Sequence, residues 1–136
     1  MALSFHYKTV RRPDGTEVKT PSIPVLLGGK LKTVALLDSG ADISAMPFAM
    51  AELLELDLSA EKSSAYGIGG TVESISSKMS VLVEKGHEKY AFQIPVKVIL
   101  GKFDFPVLLG RAGFFDKFVI SFDQGNERVS LKRIIR

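Results

Sequence analysis

The chain has 136 residues, 46% apolar and 24% charged, and its 18 basic and 15 acidic side chains leave a net charge of +3. That is globular composition rather than disorder, the length suits one domain over residues 1–136 that buries roughly 68–70% of its unfolded surface, and so mild a charge implies no nucleic-acid partner. The absence of cysteine excludes a disulfide framework and a thiolate site, and with no apolar leader and no aliphatic run near the ~20 residues of a membrane span the protein is expected to be soluble, cytoplasmic and away from membranes.

In chain order, "LSFHYKTV" alternates and "RPDGTE" carries a Pro-Asp-Gly turn, so the chain is expected to open with a hairpin. "SIPVLL" and "LKTVALL" read as strands joined tightly at Gly28-Gly29. Pro47 suits the first turn of a helix, and the Leu, Ala, Met and Glu that follow favour one over Phe48 to Leu56. "SSAYGIGGTVES" is glycine-rich, and "SKMSVLVEKGHEKYAFQIPVKVIL" reads as a long hairpin turning near "EKGHE". "FDFPVLLGR" is a further buried strand, "AGFFDK" at most a short helix, and "FVISFDQGNERVSLKR" a closing hairpin across "DQGN". The fold class is therefore mostly β, a compact barrel-like or sandwich arrangement of short strands with one or two short helices.

Three signals for chemistry fail on their surroundings. "LLGGK" lacks the Gly-Lys-Ser/Thr and the helix of a phosphate loop. Ser39 is no nucleophile elbow, because Leu37 and Ala41 stand at the positions that need glycine. His6 and His87 each stand alone, outside metal-ligand spacing, so neither a metal nor a cofactor is expected.

"ALLDSGADISAMP", from Ala35 to Pro47, is different. Turn residues are common at strand ends, and a plain turn would use the same three. Asp38, however, follows directly on a buried strand, where a carboxylate loses hydration and its pKa becomes tunable. Gly40 allows a second backbone to approach closely, and the Ser39 hydroxyl can bond across an interface.

With its context, "GGKLKTVALLDSGAD" resembles the catalytic segment of the retropepsins, the single-domain aspartic proteases of retroviruses and their cellular and bacterial relatives. "VLLGR", with Gly110 and Arg111, is similar to the family's apolar–apolar–Gly element that crosses beneath the catalytic loop. "YGIGGTVES" resembles the flap hairpin, and the three stand in the family's order from about Ile23 to Phe115. The resemblance implies a retropepsin-like barrel, one domain per subunit, and an aspartic endopeptidase with Asp38, Ser39 and Gly40 as its catalytic triplet.

Peptide hydrolysis without a metal or a nucleophilic side chain needs a water placed between an acid and a base. Two carboxyls about 3 Å apart can share one proton because both cannot ionise together. One then takes a proton from the water while the other polarises the scissile carbonyl, with no covalent enzyme intermediate. This chain has a single Asp-Ser-Gly, so the second carboxylate has to come from a second copy, and a homodimer with Asp38 at its two-fold axis follows. Ser39 would brace that pair across the axis, as in the family.

By the same resemblance Asp42 helps bind an extended peptide or protein substrate through its main chain. Arg111 is expected to form an ion pair with Asp42 that ties the loop to the short helix, and Gly110 gives structural support. Gly67, Gly69 and Gly70 make a mobile flap tip, the Ile68 amide holds a water against substrate carbonyls, and Leu108 lines a substrate pocket. The chain departs from the viral members at Ser39, where they usually carry Thr, and at Ala112, where a polar residue is common. Its helix and longer N-terminal strand look more like cellular or bacterial members. The alternative function is a non-catalytic dimerisation or peptide-binding module of the same fold.

Overall fold

The computed structural model describes residues 2–134. Its strands in chain order are β1 (Ala2–His6), β2 (Lys8–Arg11), β3 (Glu17–Thr20), β4 (Ser22–Leu27), β5 (Leu31–Leu37) and β6 (Ser44–Pro47). A short helix α1 (Phe48–Leu53) precedes β7 (Lys62–Gly67), β8 (Gly70–Lys85), β9 (Glu88–Ile99) and β10 (Val107–Leu109). A 3₁₀ turn over Phe115–Lys117 leads into β11 (Phe118–Asp123) and β12 (Arg128–Arg133). No helix among the described residues is long and apolar enough to cross a membrane.

Hydrogen bonding runs β4-β5-β10-β6-β9-β8, and Leu26 and Leu27 pair with Leu82 and Val81 to join β8 back to β4. The result is a closed six-stranded barrel, with β7 attached outside the ring through β8. Closure removes the free edges that an open sheet would leave. Alternation then sends Ile23, Val25 and Leu27 of β4, Met79, Val81 and Val83 of β8, and Ile94, Val96 and Val98 of β9 into one core. Phe114, fully buried, closes one side, its ring 5.3 Å from that of Phe118 and 5.8 Å from that of Phe92.

The hairpins follow their turn residues. At Gly28 and Gly29, φ is +58° and +69°, the left-handed pair at the centre of a turn closed by the Lys30 amide donating to Leu27 O, with three residues between the paired Leu27 and Leu31. β8 and β9 pair from Ser74↔Ile99 to Lys85↔Glu88 around Gly86, and β11 pairs β12 from Phe118↔Arg133 to Asp123↔Arg128.

Two expectations require correction. β2 and β3 form the expected hairpin around "RPDGT", but the residues before them leave it: β1 pairs with β12, Leu3 opposite Leu131 and Phe5 opposite Val129. Leu3, Phe5, Val129 and Leu131 are buried together, and a hairpin continuing to the N-terminus would leave them without that cover. The helix stops at Leu53 rather than Leu56. Glu55 turns left-handed (φ 56°) and donates its amide to Glu52 O, while the Leu56 amide reaches Ala51 O at 3.1 Å. These are the two bonds of a Schellman cap, formed here on glutamate where glycine is the usual signal.

Candidate active site

Asp38 stands where β5 ends. Leu108 and Leu109 of β10 run parallel beside Leu36 and Leu37, and the Asp38 amide donates to Leu109 O at 3.0 Å. β10 also touches β6, Leu108 opposite Ala45, so the loop 38–43 bridges two strands that are held apart by a third. The apolar triplet Val107-Leu108-Leu109 sets that spacing because its outer two side chains are buried on the core side.

Beneath the loop the two backbones nearly touch. A Cβ on Gly110 would sit 2.7 Å from the Ile43 carbonyl carbon and 2.9 Å from Ala41 O, so this position admits only glycine. The Gly110 amide donates to the hydroxyl of Ser44, which is fully buried, at 2.9 Å. Arg111 N and Ala112 N donate to Ala41 O and Asp42 O at 2.9 and 2.8 Å. Within the loop, Asp38 Oδ1 accepts the Gly40 amide at 3.0 Å and Asp42 Oδ1 accepts the Ile43 amide at 2.9 Å.

Arg111 does tie the loop to the turn that follows β10, but not through Asp42. Its guanidinium donates to Ser39 O at 2.8 Å, and no Asp42–Arg111 ion pair is present among the described residues. With its Oδ1 committed to a backbone amide, Asp42 caps the loop locally, and the arginine takes the nearer carbonyl.

The β7–β8 hairpin overhangs this loop, Gly67 opposite Gly70 with Ile68 and Gly69 at the tip. Ile68 is fully exposed, and only Gly70 of the three tip glycines has a φ in the left-handed range, +120°. Between hairpin and loop lies a cavity of about 760 Å³. Asp38, Gly40, Asp42 and Leu108 line it from one side and Gly67 to Gly70 from the other. Asp38 is half-buried there, and Ser39 is exposed beside it. Gly110 and Arg111 stay behind the loop as support.

Several residues that shape the site were not singled out from the sequence. Ser44 had no signal, since its value lies in a bond to a residue 66 positions away. Tyr66, Phe103 and Phe105 line the cavity as well. Lys97 does so too, and here a signal existed. In "IPVKVI" it is the lone charge, on the strand face opposite Val96 and Val98.

No protein-family model matches the sequence, and no curated protein does. Solved structures do. A retropepsin-like aspartic protease from Rickettsia conorii superposes with a TM-score of 0.63 at 21% identity, covering 96% of this chain and 91% of that one. The retroviral protease-like domain of Ddi1 from Leishmania major gives a TM-score of 0.51 at 14% identity, over 87% of this chain and 96% of that one. At such identities the likeness is one of architecture: this chain has the fold of the retropepsin-like aspartic proteases.

Proposed function

We propose that the protein is an aspartic endopeptidase that works as a homodimer. One observation carries the reading: Asp38 and the glycine-tipped hairpin line the same cleft, so a carboxylate at a strand end faces a lid that can cover a peptide. The substrate is an extended chain lying between lid and loop, its backbone bonded as an added strand. The lid's Ile68 amide holds a water against the substrate carbonyls.

The chemistry needs two carboxyls and the chain supplies one in an Asp-Ser-Gly setting, so Asp38 of a second copy completes the pair. The pair shares a proton. Its ionised member removes a proton from the attacking water, and its protonated member hydrogen-bonds the carbonyl oxygen as that oxygen gains charge. The gem-diol then collapses, returning a proton to the leaving nitrogen. Gly40 lets the two loops approach, and Ser39 bonds across the axis. The Arg111 bond to Ser39 O and the Ser44 bond to Gly110 hold each loop in place.

The test is cleavage of an unfolded protein by the wild-type chain and by Asp38→Asn. Asparagine nearly matches aspartate in shape but cannot act as base, so cleavage should disappear while the unfolding curve stays in place. A statine-type diol mimic should inhibit the wild type, because transition-state analogues bind far more tightly than substrates. The rate should trace a bell against pH whose two limbs belong to the pair. Cleavage retained by Asp38→Asn would refute the mechanism. Binding of peptides without cleavage by the wild type would return the chain to a peptide-binding module.

A further inference from the structure

We infer that the cleft selects peptides bearing a carboxylate side chain, Glu or Asp, close to the scissile bond, and that Lys97 reads it; this rests on the endopeptidase reading above. Lys97 lies in β9 on the face that lines the cleft, as Ile99 does, while Val96 and Val98 are buried on the other face. Its Cα partners in the neighbouring strands are Ala45 on β6 and Ser76 on β8, neither of them charged. The ion pairs among the described residues are Arg11–Glu17, Lys19–Glu127, Lys30–Glu55 and Lys89–Glu84, and Lys97 belongs to none of them.

Lys97 is half-buried. Its ammonium has no ion-pair or hydrogen-bond partner among the described residues, so its three N–H donors remain available to a ligand. The other charged groups lining the cleft are the acids Asp38 and Asp42, whose Oδ1 atoms already accept the Gly40 and Ile43 amides, and the Tyr66 phenol is the remaining titratable side chain there. Lys97 is therefore the single cationic side chain of the cleft among the described residues. Its surroundings suit a short acidic side chain. Ala45 occupies little space beside it, and Val72, Ile99 and Phe105 provide apolar walls for methylene groups. A substrate lysine or arginine would meet a like charge at the same place and be rejected.

Peptide libraries with Glu, Gln or Lys fixed at one position at a time provide the test, at a pH where glutamate is ionised. At one position near the cut, wild-type kcat/KM should favour Glu over Gln by about ten-fold, the scale of a charge-assisted hydrogen bond to a partly buried partner. Added salt should shrink the preference. Lys97→Met should level Glu with Gln, and Lys97→Glu should turn the preference toward Lys. Equal cleavage of Glu and Gln libraries at every position overturns the inference and leaves the endopeptidase reading standing. If nothing is cleaved, that reading fails by itself, and binding decides the inference. Asp38→Asn protein should hold the Glu library about ten-fold tighter than the Gln library on the same grounds, and equal affinities overturn it.

Discussion

Ser44 and Gly110 meet at a point with no room for error. The Gly110 amide is buried and has the Ser44 hydroxyl as acceptor, so Ser44→Ala leaves a donor stranded and should cost about 1–3 kcal/mol. Gly110→Ala drives a methyl into the Ile43 and Ala41 carbonyls, and overpacking of that kind costs about 1–3 kcal/mol or more. Urea unfolding of both variants gives the comparison, and a stability equal to wild type in either would mean that the crossing is looser than described. Elsewhere on the surface three aspartates act locally. Asp14 and Asp57 accept bonds from the side chains and amides of Thr16 and Ser59, and Asp123 from those of Asn126, which holds all three below the usual aspartate value. A carboxyl depressed in the folded state stabilises above its unfolded pKa and ceases to do so as pH falls through the folded one. The stability gap between wild type and a triple Asn variant should therefore close as pH drops below about 4, the ordinary aspartate range. A gap that widened in acid would reverse the sign of this linkage.

At the scale of elements, the flap hairpin concentrates its backbone requirement on one residue. Mobility was expected from Gly67, Gly69 and Gly70 together, yet only Gly70 adopts a φ that other residues avoid, and a Cβ on Gly69 meets nothing within 4 Å. Gly70→Val should thus distort the tip and depress kcat/KM severely, with little change in the barrel's unfolding midpoint, because β7 lies outside the closed ring. Gly69→Ala should be tolerated. Assaying turnover and unfolding on both proteins separates the cases, and equal losses would make the tip a uniform hinge. The loop 38–43 is the contrasting element, clamped by Arg111, Ala112 and Asp38 amides to its neighbours. Arg111→Met removes the bond to Ser39 O and should lower kcat more than stability, since that side chain is exposed and adds little packing.

For the whole molecule, the dimer prediction follows from counting carboxylates. Specific activity should fall on dilution below the dimer dissociation constant, and the thermal midpoint should rise with protein concentration by mass action. Excess Asp38→Asn chain should poison wild-type activity through mixed dimers. Sedimentation over the same dilution series is the control, and a fully active monomer would mean that Asp38 finds its partner within the chain.

Much of this architecture was legible in the sequence because its signals are local. Gly28-Gly29 and "EKGHE" specify hairpins through the φ values their residues allow, and alternation along "SVLV" and "IPVKV" specifies which face is buried, whereas the "DQGN" hairpin forms where expected with its left-handed residue at Glu127 rather than at Gly125. Asp38, Gly110 and the glycine-rich hairpin stood out as short motifs with a stated geometry. What local signals cannot carry is pairing between distant segments. That β1 leaves its hairpin for β12, that Ser44 meets Gly110, and that Arg111 chooses the Ser39 carbonyl over Asp42 were decided only when the barrel closed. The helix end carried no signal either, since the αL turn fell on Glu55 without a glycine to announce it. Closure of the ring also brought Lys97 from an ordinary strand into the cleft that Asp38 lines, since which strand face borders a cavity depends on the neighbours that complete the ring.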